Sequence, residues 1–295
     1  MFRSGFVSIV GRPNVGKSTL TNKLIGEKIS IISSKPQTTR NTIKTIINTD
    51  ESQIIFIDTP GIHKPKNKLG EYMVKLAENT LNEVDVVMFL VEAADDKPGA
   101  GDTYIAEQMK ALKTPVILII NKIDLVKKEQ LLERIKNFSQ LMKFETVIPI
   151  SAMNDEGTDI VLKEITRLLP EGPKFFPDDM ITDQPEKLLA AELIREKILE
   201  LVMEEVPHGT GVEVISYKER EGRNLLDIEA NIYCERSTHK GILIGKEGAM
   251  LKRIGSMARA EMENLLGVKV FLKLWVKVKP DWRNSDNVLR TLGYK

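Results

Sequence analysis

At 295 residues the chain is long enough for about two domains, and 42% hydrophobic with 29% charged residues is a globular rather than a disordered or fibrous composition. A formal net charge of +1 excludes a global field as the sign of a partner, yet residues 206–295 carry 16 Lys and Arg against 11 Asp and Glu, net +5, leaving the remainder net −4. The basic C-terminal part therefore points to a polyanion, while the lone cysteine, Cys234, excludes a disulfide framework and fits a reducing compartment.

The N-terminus lacks a signal-peptide apolar core, and no apolar run is long enough to span a bilayer. The first such run, Phe6–Val10, leads into Gly11-Arg12-Pro13-Asn14-Val15-Gly16-Lys17-Ser18-Thr19, and a helical pattern follows through Leu20, Leu24 and Ile25. Strand, glycine-rich loop and helix are the setting of a P-loop. Successive backbone N–H groups and the helix N-terminus form an anion cradle, Lys17 faces the β- and γ-phosphates, and the Ser18 hydroxyl completes a Mg²⁺ shell.

Residues 33–41 are polar and aperiodic, a loop whose threonines can supply a second hydroxyl to the metal when a γ-phosphate is present. Thr42–Thr49 reads as an edge strand, hairpinned through Asp50-Glu51-Ser52 onto Ile54–Ile57. That strand ends in Asp58-Thr59-Pro60-Gly61-Ile62, where Asp58 is placed to face Mg²⁺ and Gly61 to offer its N–H to the γ-phosphate.

Val84–Val91, Val116–Ile120 and Val147–Ile150 complete five short apolar runs, the pattern of buried parallel strands in a three-layer α/β sandwich. Asn121-Lys122-Ile123-Asp124 follows one of them. The Asp124 carboxylate can accept from guanine N1 and N2, a donor pair that adenine lacks. Asn121 would tie this loop to the P-loop and the Lys122 stem would cover the base. Ser151-Ala152-Met153 follows the next strand, with the Ala152 N–H as donor to guanine O6.

Residues 168–179 end a helix and carry three prolines, reading as a semi-rigid linker. Beyond it, Ala191, Ile194, Ile198, Leu201 and Val202 form one stripe, with Glu192, Glu196 and Glu200 opposite, as in an amphipathic helix. Residues 212–217 and 226–234 alternate as a hairpin, and Val268–Val278 alternates again. Between them Gly245-Lys246-Glu247-Gly248 opens a helix after Ile242-Leu243-Ile244, with Lys252 and Arg253 in its first turns. A G-x-x-G loop lets an RNA backbone approach closely while the bases lie in an apolar groove. Trp275 reads as strand packing rather than as a stacking platform.

The first half resembles the translation-factor-related P-loop GTPases, all five guanine-nucleotide motifs matching, and the second resembles a type II KH domain, an α+β fold. The combination resembles the bacterial KH-domain GTPases of small-ribosomal-subunit assembly. That resemblance implies a G domain over 1–170, a linker over 171–184, a KH domain over 185–283 and a tail over 284–295. It implies GTP hydrolysis involving Lys17, Thr39, Gly61 and Asn14, and a nucleotide contacted by residues 11–19, 58–62, 121, 122, 124 and 151–153. Mg²⁺ would be held by Ser18, Thr39 (favoured over Thr38) and Asp58. Related GTPases commonly place after the Asp-x-x-Gly motif a Gln that orients water; here it is Ile62, as in a hydrophobic subclass, some of whose members hold K⁺ on a P-loop Asn matching Asn14. Single-stranded 16S rRNA near its 3′ end would bind through Ile244, Gly245, Lys246, Glu247, Gly248, Lys252 and Arg253. The resemblance further implies a monomer acting on the 30S subunit in the cytoplasm, partly on the inner membrane face. The alternatives are a GTP-sensing scaffold with negligible turnover and a membrane-tethered interaction protein.

Overall fold

The computed structural model describes residues 1–26, 39–60, 65–222 and 224–294. The chain forms two units, Met1–Pro65 with Met73–Asp183, and Lys66–Tyr72 with Gln184–Lys295.

The first unit is built on a six-stranded sheet in the order β2-β3-β1-β4-β5-β6. Its strands are β1 (Arg3–Gly11), β2 (Ile43–Asn48), β3 (Ser52–Asp58), β4 (Val86–Glu92), β5 (Val116–Asn121) and β6 (Thr146–Pro149). All pairings are parallel except β2 with β3. The central strands are buried on both faces, which is why their sequences are continuous rather than alternating. Val7, Ile9, Phe56 and Ile119 pack under α1 (Lys17–Ile25) and α5 (Thr158–Leu168). Val87, Phe89, Leu118 and Ile120 pack on the opposite face, under α3 (Ala100–Met109), α4 (Lys128–Ser139) and the later turns of α2 (Lys68–Leu81). This is the three-layer α/β sandwich the apolar runs predict.

The proline-rich segment after α5 lies along the sheet's open edge. Ile46 N–H donates to the Ile181 carbonyl at 2.9 Å, the Thr182 hydroxyl donates to the Lys44 carbonyl at 2.6 Å, and Lys44 pairs with Asp183 at 3.3 Å. Gln53, fully buried, accepts from the Phe175 and Phe176 N–H groups at 2.6 and 2.9 Å. Its amide donates to Asn48 Oδ1 at 2.7 Å and to the Phe176 carbonyl at 2.8 Å.

The second unit has a three-stranded sheet, β7 (Gly211–Glu219), β8 (Leu225–Cys234) and β9 (Lys269–Val278), antiparallel then parallel, with β9 at an edge. Helices α6 (Glu186–Leu201), α7 (Ser237–Ile244) and α8 (Ala249–Leu266) cover one face. Two of the three glutamates opposite the α6 stripe, Glu192 and Glu196, are buried, and Glu200 is exposed. A charge in that position must be paired; Glu192 accepts from the buried Arg195, and Glu196 lies 3.2 Å from Lys197, which also meets Glu200 and Glu261. The C-terminal residues are folded too. Trp282 is fully buried with its indole N–H on the Gly209 carbonyl at 2.9 Å, and Tyr294, beyond α9 (Asp286–Thr291), stacks on it. Among the described residues no helix is long and apolar enough to cross a membrane.

Candidate functional site: a nucleotide cradle and a G-x-x-G groove

Parallel strands deliver their loops to one end of a sheet, and ligands collect there. The ends of β1, β3, β5 and β6 bring residues 11–18, Asp58, Asn121–Asp124 and 151–153 to the same edge. The P-loop turn needs bare backbone at two places: at Gly11 (φ +155°) a Cβ would stand 2.4 Å from the Leu90 carbonyl oxygen, and at Gly16 (φ +102°) 2.2 Å from Asn121 Nδ2. Asn14 also takes a left-handed conformation, φ 68°.

Lys17 is buried, its ammonium donating to the Gly11 and Arg12 carbonyls at 2.9 and 2.8 Å. Burial pulls it down to about 8 against the opposing charge of Asp58. Ser18 Oγ, Thr39 Oγ1 and Asp58 Oδ2 converge at 3.2–3.4 Å from one another. Two hydroxyls and a carboxylate are hard oxygen donors and suit Mg²⁺. Gly61 and Ile62, like Thr38, lie outside the described residues, while Thr59 donates to the Ile9 carbonyl at 3.0 Å.

Asn121 is the tie between loops. Its amide donates to the Val15 carbonyl at 2.8 Å and its oxygen accepts from Ala152 N–H at 3.0 Å. Ser151 Oγ donates to Asp124 Oδ1 at 2.5 Å, fixing the carboxylate. Lys122 pairs with Glu92 at 3.0 Å, whereas Met153 is exposed.

The motifs do not disclose what holds Arg12. Its Nε donates to the fully buried Asp102 at 2.7 Å, and a second nitrogen meets Asp95. Burial works against the guanidinium's charge, but these carboxylates hold its pKa above the ordinary value. Asp102 also accepts from the Gly99 N–H at the start of α3, so one carboxylate fastens the P-loop to that helix. The only sequence signal is an acidic residue at a helix N-terminus, with nothing to link it to a residue 90 positions earlier.

In the second unit Gly245, Glu247 and Gly248 all have positive φ (72°, 52° and 81°), and α8 begins directly after them. A Cβ on Gly245 would come within 2.7 Å of Met250 Cβ, whereas Gly248 faces open space. Gly248, Leu251, Lys252, Gly255 and Arg259 form one wall of a groove of about 350 Å³, and Leu272 and Leu274 of β9 the other. Lys246 and Glu247 are exposed beside it. Ile244 packs against the core, and Arg253 is exposed on α8 without lining the groove. Arg259, a basic residue of the helix that the motif opens, lines the groove as well, while Leu272 and Leu274 are groove residues that the G-x-x-G motif does not reach.

Residues 6–122 match the family model of the 50S ribosome-binding GTPases, and residues 205–283 that of the KH domain. The chain is 62% identical to GTPase Era of Ruminiclostridium cellulolyticum, over 100% of this chain and 98% of that protein. It is 56% identical to GTPase Era of Alkaliphilus metalliredigens, over 100% and 99%. Among solved structures, an Aquifex aeolicus Era variant bound to GDP·AlF4⁻ superposes with a TM-score of 0.95 at 44% identity, covering 99% of each chain. An Era complex with MgGDPNP and nucleotides 1506–1542 of 16S ribosomal RNA gives 0.95 and 44%, covering 100% and 99%.

Proposed function

Since the chain belongs to the Era family of GTPases, we propose that it is a GTP-hydrolysing switch that grips single-stranded 16S rRNA near its 3′ end and acts in assembly of the 30S subunit. The observation that carries this is the pairing, on one chain, of the Ser18–Thr39–Asp58 oxygen cluster beside Lys17 with a G-x-x-G groove. The Era complex with a GTP analogue and that RNA segment supports the same pairing.

In this reading Lys17 exchanges its two loop carbonyls for the β- and γ-phosphates and stays protonated against them. Ser18, Thr39 and Asp58, the last through water, hold Mg²⁺, which neutralises the developing phosphate charge when bound. Asp124, held by Ser151, accepts from the guanine N1 and N2 groups, and Ala152 N–H, aimed by Asn121, meets O6. Gly61 senses the γ-phosphate, and Ile62 orders no water through a side-chain amide. Asn14 would hold K⁺, whose charge would serve as an arginine finger's does. In the groove, the α8 N-terminus with Lys246 and Lys252 takes the RNA backbone, and the bases lie against Leu251, Leu272 and Leu274. The protein acts as a monomer in the cytoplasm, with a peripheral hold on the inner membrane face.

The test is equilibrium binding of a short RNA from the small-subunit rRNA 3′ end, with the protein loaded with GDP or with a non-hydrolysable GTP analogue, at two salt concentrations. Tighter binding with the analogue is expected, and the salt slope counts phosphate contacts. Equal binding in both states removes the switch.

A further inference from the structure

The outer face of the second unit's sheet is left over once the groove is accounted for. Strand β9 alternates throughout: Val270, Leu272, Leu274 and Val276 join or pack against the core, and Lys269, Phe271, Lys273, Trp275 and Lys277 turn outward. Phe271 is 45% and Trp275 40% exposed, whereas the chain's other tryptophan, Trp282, is fully buried. Trp275 therefore stands on the outer face of β9, away from the core.

Cations surround this strip. Arg220 and Lys273 lie 5.6 and 5.4 Å from the Phe271 ring centre, and Lys279 lies 4.7 Å from that of Tyr233. Of the carboxylates on the same face, Asp227 is engaged by Arg220 and Glu229 by Lys273, while Glu213, in register with Asn231, accepts from the Tyr233 hydroxyl at 2.6 Å. Among the described residues Lys277 and Lys279 have no carboxylate partner. Asn231, which stands in register with Trp275, is 3% exposed, and its Oδ1 accepts no hydrogen bond among the described residues.

We propose that this face is a second contact for single-stranded RNA, in which bases stack on Trp275 and Phe271 and the backbone runs past Lys277 and Lys279. The inference rests on the RNA reading of the groove and extends it. Strand β9 is a wall shared by both surfaces: Leu272 and Leu274 line the groove, and Phe271, Lys273 and Trp275 occupy the reverse side of the same edge strand. A strand leaving the groove over β9 rounds that edge. From Phe271 to Trp275 is about 13 Å along the strand, and sheet-borne aromatics in other RNA-binding modules stack two or three bases. Lysine between the rings argues for nucleic acid over a protein partner, because protein interfaces are depleted in lysine, whereas rings beside a basic track are how single strands are held without sequence preference.

The experiment compares a 4-nucleotide and a 12-nucleotide RNA from the small-subunit rRNA 3′ end, with tryptophan emission and fluorescence anisotropy as readouts. The 12-mer is expected to quench Trp275 emission and the tetramer is not. Trp275→Ala is expected to weaken the 12-mer about tenfold, leaving tetramer binding and GTP hydrolysis unchanged; Trp275→Phe retains most of the affinity, and Lys277→Glu flattens the salt slope. If the 12-mer binds Trp275→Ala as tightly as the parent protein, or binds without quenching, the proposal is overturned. Because the quenching is read on the parent protein, a variant that fails to fold does not shelter it. Tetramer binding with no gain from length sinks this surface alone, whereas failure of both RNAs sinks the groove reading with it. Quenching by a ribosomal protein in place of RNA also refutes it.

Discussion

Replacing Asn121 with alanine cuts both ends of the tie that joins the P-loop to the guanine loop. The side chain is 2% exposed, and its partners, the Val15 carbonyl and the Ala152 N–H, belong to residues that are 1% and 2% exposed. Each is left buried without its partner at a cost of about 1–3 kcal/mol, so Asn121→Ala should lose roughly 2–6 kcal/mol from a total stability on the order of 5–15. GDP affinity should fall with it, because the Ala152 N–H is no longer aimed. Asn121→Asp separates the two ends. Its carboxylate still accepts from Ala152, but an oxygen now faces the Val15 carbonyl where an amide stood at 2.8 Å. That repulsion raises the new carboxyl's pKa, and the protonated acid can donate to Val15. Stability lost at pH 8 should therefore return as the pH falls through the raised pKa. Urea titrations of both variants at several pH values, with calorimetric GDP titrations, measure this. A cost below about 0.5 kcal/mol for the alanine variant, or an aspartate variant indifferent to pH, refutes the reasoning.

Lys17, held near 8 when no phosphate is bound, should take up a proton when GDP binds above that pH, because the phosphates favour its charged form. Affinity should be flat below about pH 7 and fall towards tenfold per unit above 8, while the nucleotide-free fold gains stability from about pH 8 up to the unfolded lysine's ordinary value; calorimetry at pH 8.5 in two buffers of different ionisation heat reads the proton. Asp124→Asn should weaken GTP and favour xanthine nucleotides, and unchanged guanine preference in a competition assay would count against the assignment. Gly248→Asp puts a charge and a Cβ at φ +81° where RNA phosphate must approach; filter binding should show RNA affinity lost with GTP affinity intact. Hydrolysis in K⁺ should exceed that in Na⁺ if Asn14 holds the ion, and equal turnover removes that role.

The sheet of the first unit is legible because its strands are buried on both faces, so Ile54–Ile57 and Val116–Ile120 announce themselves as apolar runs. The meeting of the P-loop, Asp58 and the Asn121 and Ser151 loops is legible because each motif follows a strand of one parallel sheet, whose loops gather at one end. Partnerships between distant segments are not: nothing near Arg12 names Asp95 or Asp102, and nothing in the α6 stripe says that Glu192 and Glu196 are covered. The side that Trp275 takes is legible, since period-two alternation sets it with Lys269, Lys273 and Lys277, opposite Val270 and Leu272, but its 40% exposure is not. Local pattern fixes which side of a strand a residue takes, but what lies against that side is settled by packing.

The fastening of residues 175–183 along β2 bears on how this protein can be taken apart. A truncation placed at the prolines, after residue 170, would strip Gln53 of three of its four hydrogen bonds and leave an edge strand of free N–H and C=O groups facing water. Such an edge invites pairing between chains. A fragment meant to stay in solution as the first unit should therefore run through Asp183. A shorter version that precipitates would be reporting an uncovered strand edge rather than a domain unable to fold.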